Sequence, residues 1–219
     1  MLIFVCDTST DYAVFAVGTD SGELLASYTF KHQRDLSQRF YGSLDRVFGE
    51  ARVSLRDIDI LAVGIGPGSF TGVRVAVTTL KTLAQASSKL LVSVGTLAAY
   101  AKGAGISTTA VAVLPSRRGE LYFQVFDQQE EQGPPIAASY DRFSQVLDSL
   151  QDQVTLCGQV QALPDQYMRY MKAEQTSPPV QALLDIAAVK IGVKDFADPI
   201  TLTPMYAAPP AISQHKNRQ

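Results

Sequence analysis

Ile60-Leu61-Ala62-Val63-Gly64-Ile65-Gly66-Pro67-Gly68-Ser69-Phe70-Thr71-Gly72-Val73-Arg74 is an apolar run, with Ile58 just before it, that breaks into a glycine-rich turn. A helical repeat then opens and is carried on by Val77, Leu80, Leu83 and Ala84. The pattern predicts a buried strand turning sharply into a helix. Such a turn leaves unpaired backbone N–H groups at the positive end of a helix dipole, where a phosphate or another anion is favoured. Gly66, Gly68 and Ser69 are therefore candidate nucleotide or anion contacts. The competing reading is that the glycines only let a helix start close to a sheet, with Pro67 fixing φ and Ser69 capping. Spacing leaves both open.

Two common nucleotide loops are excluded. No Lys-Ser/Thr follows the glycines as a Walker loop requires, and Ser69 stands where the dinucleotide pattern Gly-x-Gly-x-x-Gly needs its third glycine.

Outward from this turn, the chain has 219 residues and is 46% hydrophobic, enough for one large domain or two small ones. Lys and Arg total 19 against 21 Asp and Glu, so no broad positive field exists to hold nucleic acid unaided. Cys6 and Cys157 are far apart and form no Cys-x-x-Cys pair, which argues against a disulfide framework or a thiolate metal site. Met1 to Cys6 lacks a basic leader and reads as a buried strand, and no stretch reaches membrane-spanning length. A cytoplasmic protein with no membrane contact is expected.

Strands are predicted at Leu2 to Cys6, Ala13 to Val17 and Leu24 to Phe30, as an antiparallel meander with a turn at Asp20-Ser21-Gly22. Gln33 to Glu50 places Leu36, Phe40, Leu44, Val47 and Phe48 on one helical face, with Gly42 inside that helix. An interior glycine costs about 1 kcal/mol against alanine, which asks for a close approach at that point, within the fold or from a partner. Beyond the glycine-loop helix come a strand at Leu90 to Val94, a helix near Thr96 to Lys102, and strands at Ala110 to Leu114 and Glu120 to Phe126. Gly103-Ala104-Gly105 reads as the hinge between halves. Asp127 to Pro135 reads as an exposed excursion, helices follow at Tyr140 to Leu150 and Val180 to Ile191, and a strand at Val154 to Cys157. The order predicts a mixed sheet with helices on its faces, an α/β fold. Residues 1–104, 105–206 and a polar tail over 207–219 are the expected units. No internal repeat is visible in the sequence.

Asp7-Thr8-Ser9-Thr10 gathers a carboxylate and hydroxyls at a strand end, where they could face one cleft with the glycine loop. The alternative is a hairpin closure. His32 and His215 are the only histidines and neither has a His or Cys nearby, so no metal site is expected. Ser69 is not in a Gly-x-Ser-x-Gly elbow, which leaves a serine hydrolase without support. Arg117-Arg118-Gly119-Glu120 is either an anion clamp or a solvated hairpin turn.

Asp7-Thr8-Ser9, the Gly64 to Arg74 string and Arg117-Arg118-Gly119-Glu120-Leu121-Tyr122 together resemble the bacterial TsaB family, also called YeaZ, over roughly the first 125 residues. The resemblance implies an actin-like ATPase fold of two βββαβαβα halves with mixed sheets, the second reduced. It also implies a noncatalytic scaffold or activator in the formation of threonylcarbamoyladenosine on tRNA, in which a metal-holding paralogue, TsaD, carries out the transfer. Ser93-Val94-Gly95-Thr96-Leu97-Ala98-Ala99-Tyr100 lacks the His-x-x-x-His pair that the TsaD chains carry there. The implied partners are a TsaD-like transferase and a TsaE-like ATPase, with tRNA met only through the complex and a homodimer through the same helices as an option. Carried over by position, the interface would use Leu36, Phe40, Tyr41, Gly42, Leu44, Phe70, Val73 and Val77. Asp7, Thr8, Ser9, Gly66, Gly68 and Ser69 would be the nucleotide contacts, with ATP or ADP at the subunit interface as the cofactor admitted. Other readings are a peptidase acting on the partner and a small-molecule kinase of the same superfold.

Leu36-Ser37-Gln38, Pro115-Ser116-Arg117 and Tyr206-Ala207-Ala208 depart from the family's His-Ser/Thr-Glu/Gln, Asp-Ala-Arg and Tyr-Leu-Arg. They leave the fold expectation intact and weaken the case for nucleotide contact by the second half.

Overall fold

The run Leu2–Asp7 carries no polar side chain before its last residue, the composition of a strand covered on both faces. In the computed structural model, which describes residues 1–33, 35–116, 119–150 and 154–207, β1 (Leu2–Asp7) is the middle strand of a five-stranded sheet. It pairs antiparallel with β2 (Tyr12–Thr19) and parallel with β4 (Ile60–Gly64). β3 (Leu24–Lys31) and β5 (Leu90–Val94) complete the order β3-β2-β1-β4-β5.

α1 (Leu36–Ala51) and α2 (Phe70–Ser87) cover one face of this sheet. α1 begins three residues later than its apolar spacing suggests, with Asp35 at the N-cap. Its buried side chains stack on aromatic rings of the sheet: Phe40 lies 5.0 Å from Phe15, edge to face, and Phe48 lies 5.1 Å from Phe4. Each such ring contributes about 2 to 3 kcal/mol when fully buried, so this layer fixes α1 and α2 firmly on the sheet.

The second sheet contains β6 (Ala110–Pro115), β7 (Glu120–Asp127), β8 (Glu130–Glu131), β9 (Ile136–Ser139), β10 (Thr155–Gly158) and β11 (Met171–Glu174). Its order is β11-β10-β6-β7-β8, with β9 also on β7. β6 pairs antiparallel with β7 and parallel with β10, as β1 does with β2 and β4. The repeat that the amino acids hide is thus plain in the strand order. α4 (Tyr140–Ser149) occupies the place in the second half that α1 holds in the first. Between β10 and β11 stand only short 3-10 turns, Val160–Ala162 and Asp165–Arg169, so the second half has no equivalent of α2.

The remaining helices cross over. α3 (Thr96–Ala104) follows the first sheet but packs Leu97, Tyr100 and Ala101 against Ala112, Leu114 and Cys157 of the second. α5 (Val180–Gly192) follows the second sheet and returns to the first, placing Leu183, Leu184 and Ala187 over Val5, Val14 and Ala62. Beyond it, Ala197 bridges Leu91 at the edge of β5. The division expected after residue 104 therefore needs correction: it separates the two sheets, but the segment from Val180 onward packs with the first. The physical reason is that β1, β2 and β4 are apolar on both faces and need a second layer, which α5 supplies.

Gly103 is likewise not a free hinge. A Cβ there would stand 2.5 Å from Pro179 Cγ, so the glycine marks the close crossing of α3 and the start of α5. β9 and β11 escape sequence reading because Ile136–Ser139 and Met171–Glu174 are short and without alternation.

Candidate functional site

The glycine turn between β4 and α2 is filled by the chain's own backbone. Ser69 N–H donates to the Ser9 carbonyl at 2.6 Å, and Thr8 Oγ1 donates to the Gly72 carbonyl at 2.7 Å. A Cβ at residue 68 would lie 2.9 Å from the Ser9 carbonyl carbon, and one at residue 72 would lie 3.2 Å from that of Thr8, with the oxygens nearer still. Gly68 and Gly72 are thus glycines because the Thr8-Ser9 strand end presses on them. Gly66, at φ +92°, supplies a left-handed turn, and its carbonyl accepts Thr96 N–H at 2.9 Å. Ser69 caps α2, its Oγ accepting from Gly72 N–H at 3.3 Å. The competing reading, close backbone approach, is the one that this geometry takes.

Asp7 lies at the centre of the same junction and is fully buried. Its Oδ1 accepts from Ser9 N–H at 2.8 Å and from Ser9 Oγ at 2.6 Å, while Oδ2 accepts from Thr96 Oγ1 at 2.8 Å. Ser9 Oγ and Thr96 Oγ1 are 2.9 Å apart. Burial raises the Asp7 carboxyl above its usual range, and the hydrogen bonds from Ser9 and Thr96 pull it back. Both carboxylate oxygens are satisfied internally, so Asp7 ties β1 to α3 and offers no oxygen to solvent. Thr96, which closes this triangle, was not among the expected site residues; the readable signal was a hydroxyl residue opening a helix directly after a strand.

Arg117 and Arg118 lie outside the described residues. Around them the hairpin closes by Ser116 N–H to the Glu120 carbonyl at 2.9 Å, and Pro115 pairs in register with Leu121. Of the tail expected over 207–219, only Ala207 is described. Among the described residues no three His, Cys, Asp or Glu side chains gather in a way that could hold a metal ion, and no helix is long and apolar enough to cross a membrane.

The expected interface residues divide sharply. Leu36, Phe40, Leu44, Val73 and Val77 are buried in the core against the first sheet. This corrects their assignment to a partner face, because apolar spacing marks the side of a helix that finds cover and the sheet provides it. Tyr41 and Phe70 are exposed, 63% and 42%, which is unusual for side chains of their size. Gly42 lies on the exposed side of α1, where a Cβ would meet nothing within 4 Å beyond its own helix backbone. The expected close approach within the fold is absent at Gly42.

Between α1 and α2 runs a groove of about 430 Å³, lined by Phe40, Tyr41, Phe70, Val75 and Thr78 among others, with Arg74 the one charged side chain lining it among the described residues. The Arg74 guanidinium sits 5.1 Å from the Phe70 ring centre. The Tyr206 ring lies 5.4 Å from that of Phe70, tilted by 34°, and its segment is held by Met205 N–H donating to the Ile65 carbonyl at 2.8 Å. The segment 202–206 thereby straps the glycine turn, anchored further back where Lys81 Nζ donates to the Leu202 carbonyl at 2.6 Å. Neither Arg74 nor Tyr206 stood among the expected site residues.

Known proteins resemble this chain in sequence and in fold. Residues 23–188 match the family model described as TsaD, tRNA N6-adenosine threonylcarbamoyltransferase. The tRNA threonylcarbamoyladenosine biosynthesis protein TsaB of Escherichia coli is 33% identical over 133 residues, covering 59% of this chain and 57% of that protein. The chain thus spans little more than half the length of the curated relatives it matches. The solved structure of YeaZ from Pseudomonas aeruginosa superposes with a TM-score of 0.77 at 25% identity, over 94% of this chain and 99% of that one. An activator of 2-hydroxyisocaproyl-CoA dehydratase from Clostridium difficile, solved with bound ADPNP, shares the fold alone, with a TM-score of 0.56 at 10% identity over 89% and 98% of the two chains. The two-sheet architecture is accordingly the actin-like ATPase fold, and the chain belongs to the family of the TsaD model and, within it, to the TsaB (YeaZ) branch.

Proposed function

We propose that this chain is a noncatalytic scaffold subunit that docks to a TsaD-like transferase and activates it in the formation of threonylcarbamoyladenosine on tRNA. The observation that carries the reading is the groove of α1 and α2, where Tyr41 and Phe70 stand exposed on two helices otherwise locked to the sheet. Exposed aromatic side chains on a rigid surface are the usual anchors of a protein interface. Membership in the TsaB branch supplies the partner class.

The Asp7 junction supports the noncatalytic part of the reading. A phosphoryl or acyl transfer needs a carboxylate, hydroxyl or N–H group aimed at a substrate. Here Asp7, Ser9, Ser69 and Thr96 spend their hydrogen bonds on one another and on the backbone. A TsaE-like ATPase would join the docked pair, ATP or ADP would bind at the junction of subunits, and tRNA would be met through the complex.

The test is to mix the pure chain with the TsaD-like protein of the same organism. A complex in gel filtration and a gain of threonylcarbamoyladenosine in tRNA nucleosides by mass spectrometry are expected. Absence of both, or turnover by the chain alone, rejects the reading.

A further inference from the structure

We infer that residues 197–206 form a strap that lifts off the edge of the first sheet and off the glycine turn as one piece, and that Lys81 of α2 is its latch.

The strap is held by hydrogen bonds more than by burial. No side chain from Ala197 to Tyr206 is fully buried; Ile200 and Tyr206 are exposed and Leu202 is half-buried. Apolar cover therefore holds it weakly, which places it at the low-stability end of the fold. Two backbone bonds tie its ends, Ala197 N–H to the Leu91 carbonyl and Met205 N–H to the Ile65 carbonyl, both at 2.8 Å. Between these ends one side chain of the body reaches it among the described residues. Lys81 Nζ donates to the Ile200 carbonyl at 3.0 Å and to the Leu202 carbonyl at 2.6 Å. Lys81 takes part in none of the ion pairs among the described residues, so these carbonyls are the acceptors that face its charge.

Within itself the strap is stiff. Asp198 Oδ1 accepts Ile200 N–H at 2.8 Å, Oδ2 accepts Thr201 Oγ1 at 3.2 Å, and the Asp198 carbonyl accepts Leu202 N–H at 2.9 Å. Pro199 and Pro204 fix their own φ and bring no N–H that needs a partner. The turn at Asp198 sets the Ile200 and Leu202 carbonyls where one ammonium reaches both. A segment tied firmly within and lightly from outside opens as a unit.

Lifting would uncover two places. The Ala197 bridge covers β5, the outermost strand of its sheet, and such an open edge is prone to pair with other chains. The Met205 carbonyl lies against the glycine turn, 3.4 Å from where a Cβ on Gly66 would stand. With the strap raised, the Leu91 and Ile65 carbonyls lose their donors and the Tyr206 ring leaves Phe70. One ammonium on α2 thus sets access to the edge of β5 and to the outer side of the turn.

Residue-resolved amide hydrogen exchange on the full chain tests this. In the parent, Ala197 and Met205 should share one protection factor that low urea leaves unchanged, whereas Val5 and Val63 in the central strands should exchange through urea-sensitive unfolding. Lys81→Met should lower the protection of Ala197 and Met205 by the same factor, at least about tenfold, and Lys81→Arg, which keeps a cationic donor, should lower it much less. If Ala197 and Met205 exchange only in the unfolding that releases Val5 and Val63, the strap does not lift and the inference falls; this outcome is read on the parent alone and needs no variant. If only one of the two amides responds to Lys81→Met, the segment is not one piece. If neither responds, Lys81 is not the latch. Either result overturns the inference.

Discussion

A Cβ on residue 64 would stand 2.7 Å from the Asp7 Cβ and closer still to its carboxylate, so Gly64 is the space in which Asp7 sits. Both neighbours are fixed, Asp7 by three hydrogen bonds and Gly64 by the parallel pairing of β4 with β5. Gly64→Ala should therefore cost about 3 kcal/mol or more, the range of overpacking compounded by a disturbed buried charge. Urea denaturation measures it, and an unchanged midpoint would mean that the junction yields without strain.

Gly42 should behave in the opposite way. With open space around its α carbon, Gly42→Ala removes the penalty of an interior helix glycine and should raise stability by about 0.5 to 1 kcal/mol. Gly42→Gln should leave folding within about 0.5 kcal/mol of the parent and weaken docking of the TsaD-like partner about tenfold or more, through bulk on the exposed face. Equal affinity in calorimetry would remove residue 42 from the interface.

Asp7 gives stability a pH signature. Burial raises its folded pKa above the ordinary 3.8, so the native state holds the proton more tightly than the unfolded chain does. The contribution of this group is full below the unfolded pKa and is lost as pH rises through the folded one. Relative to Asp7→Asn, the parent should gain unfolding free energy as pH is lowered from neutral toward about 4. Parallel curves for the two proteins would contradict the shift.

Both thiols should be silent in the folded state. Burial pushes Cys6 well above its usual pKa, helped by neighbouring Asp7, and takes Cys157 up to about 12. A disulfide reagent at pH 8 should label neither residue in buffer and both in denaturant. Rapid labelling of one thiol in the native protein would show that its sheet opens locally.

Much of the fold is legible in the chain because single segments announce themselves. The run Leu2–Asp7 has to be a central strand, and Ile60 to Arg74 has to be a strand, a sharp turn and a helix start, since glycine and apolar spacing act locally. Asp7 and Ser9 at a strand end, and Ser69 at a helix start, are each legible from their own local sequence for the same reason. Thr96 was not, because it joins them from 87 residues away along the chain.

The chain by itself determined that Leu36, Phe40, Leu44, Val73 and Val77 need apolar cover, and that glycines must stand where α2 begins. Only the tertiary structure decided what provides that cover and what those glycines admit. The sheet claims the apolar sides of α1 and α2, which leaves Tyr41, Phe70 and Arg74 facing outward, and the Thr8-Ser9 backbone packs into the glycine turn between β4 and α2. Periodicity records which side of a helix avoids water, but the identity of its neighbour is set by packing between segments distant in sequence.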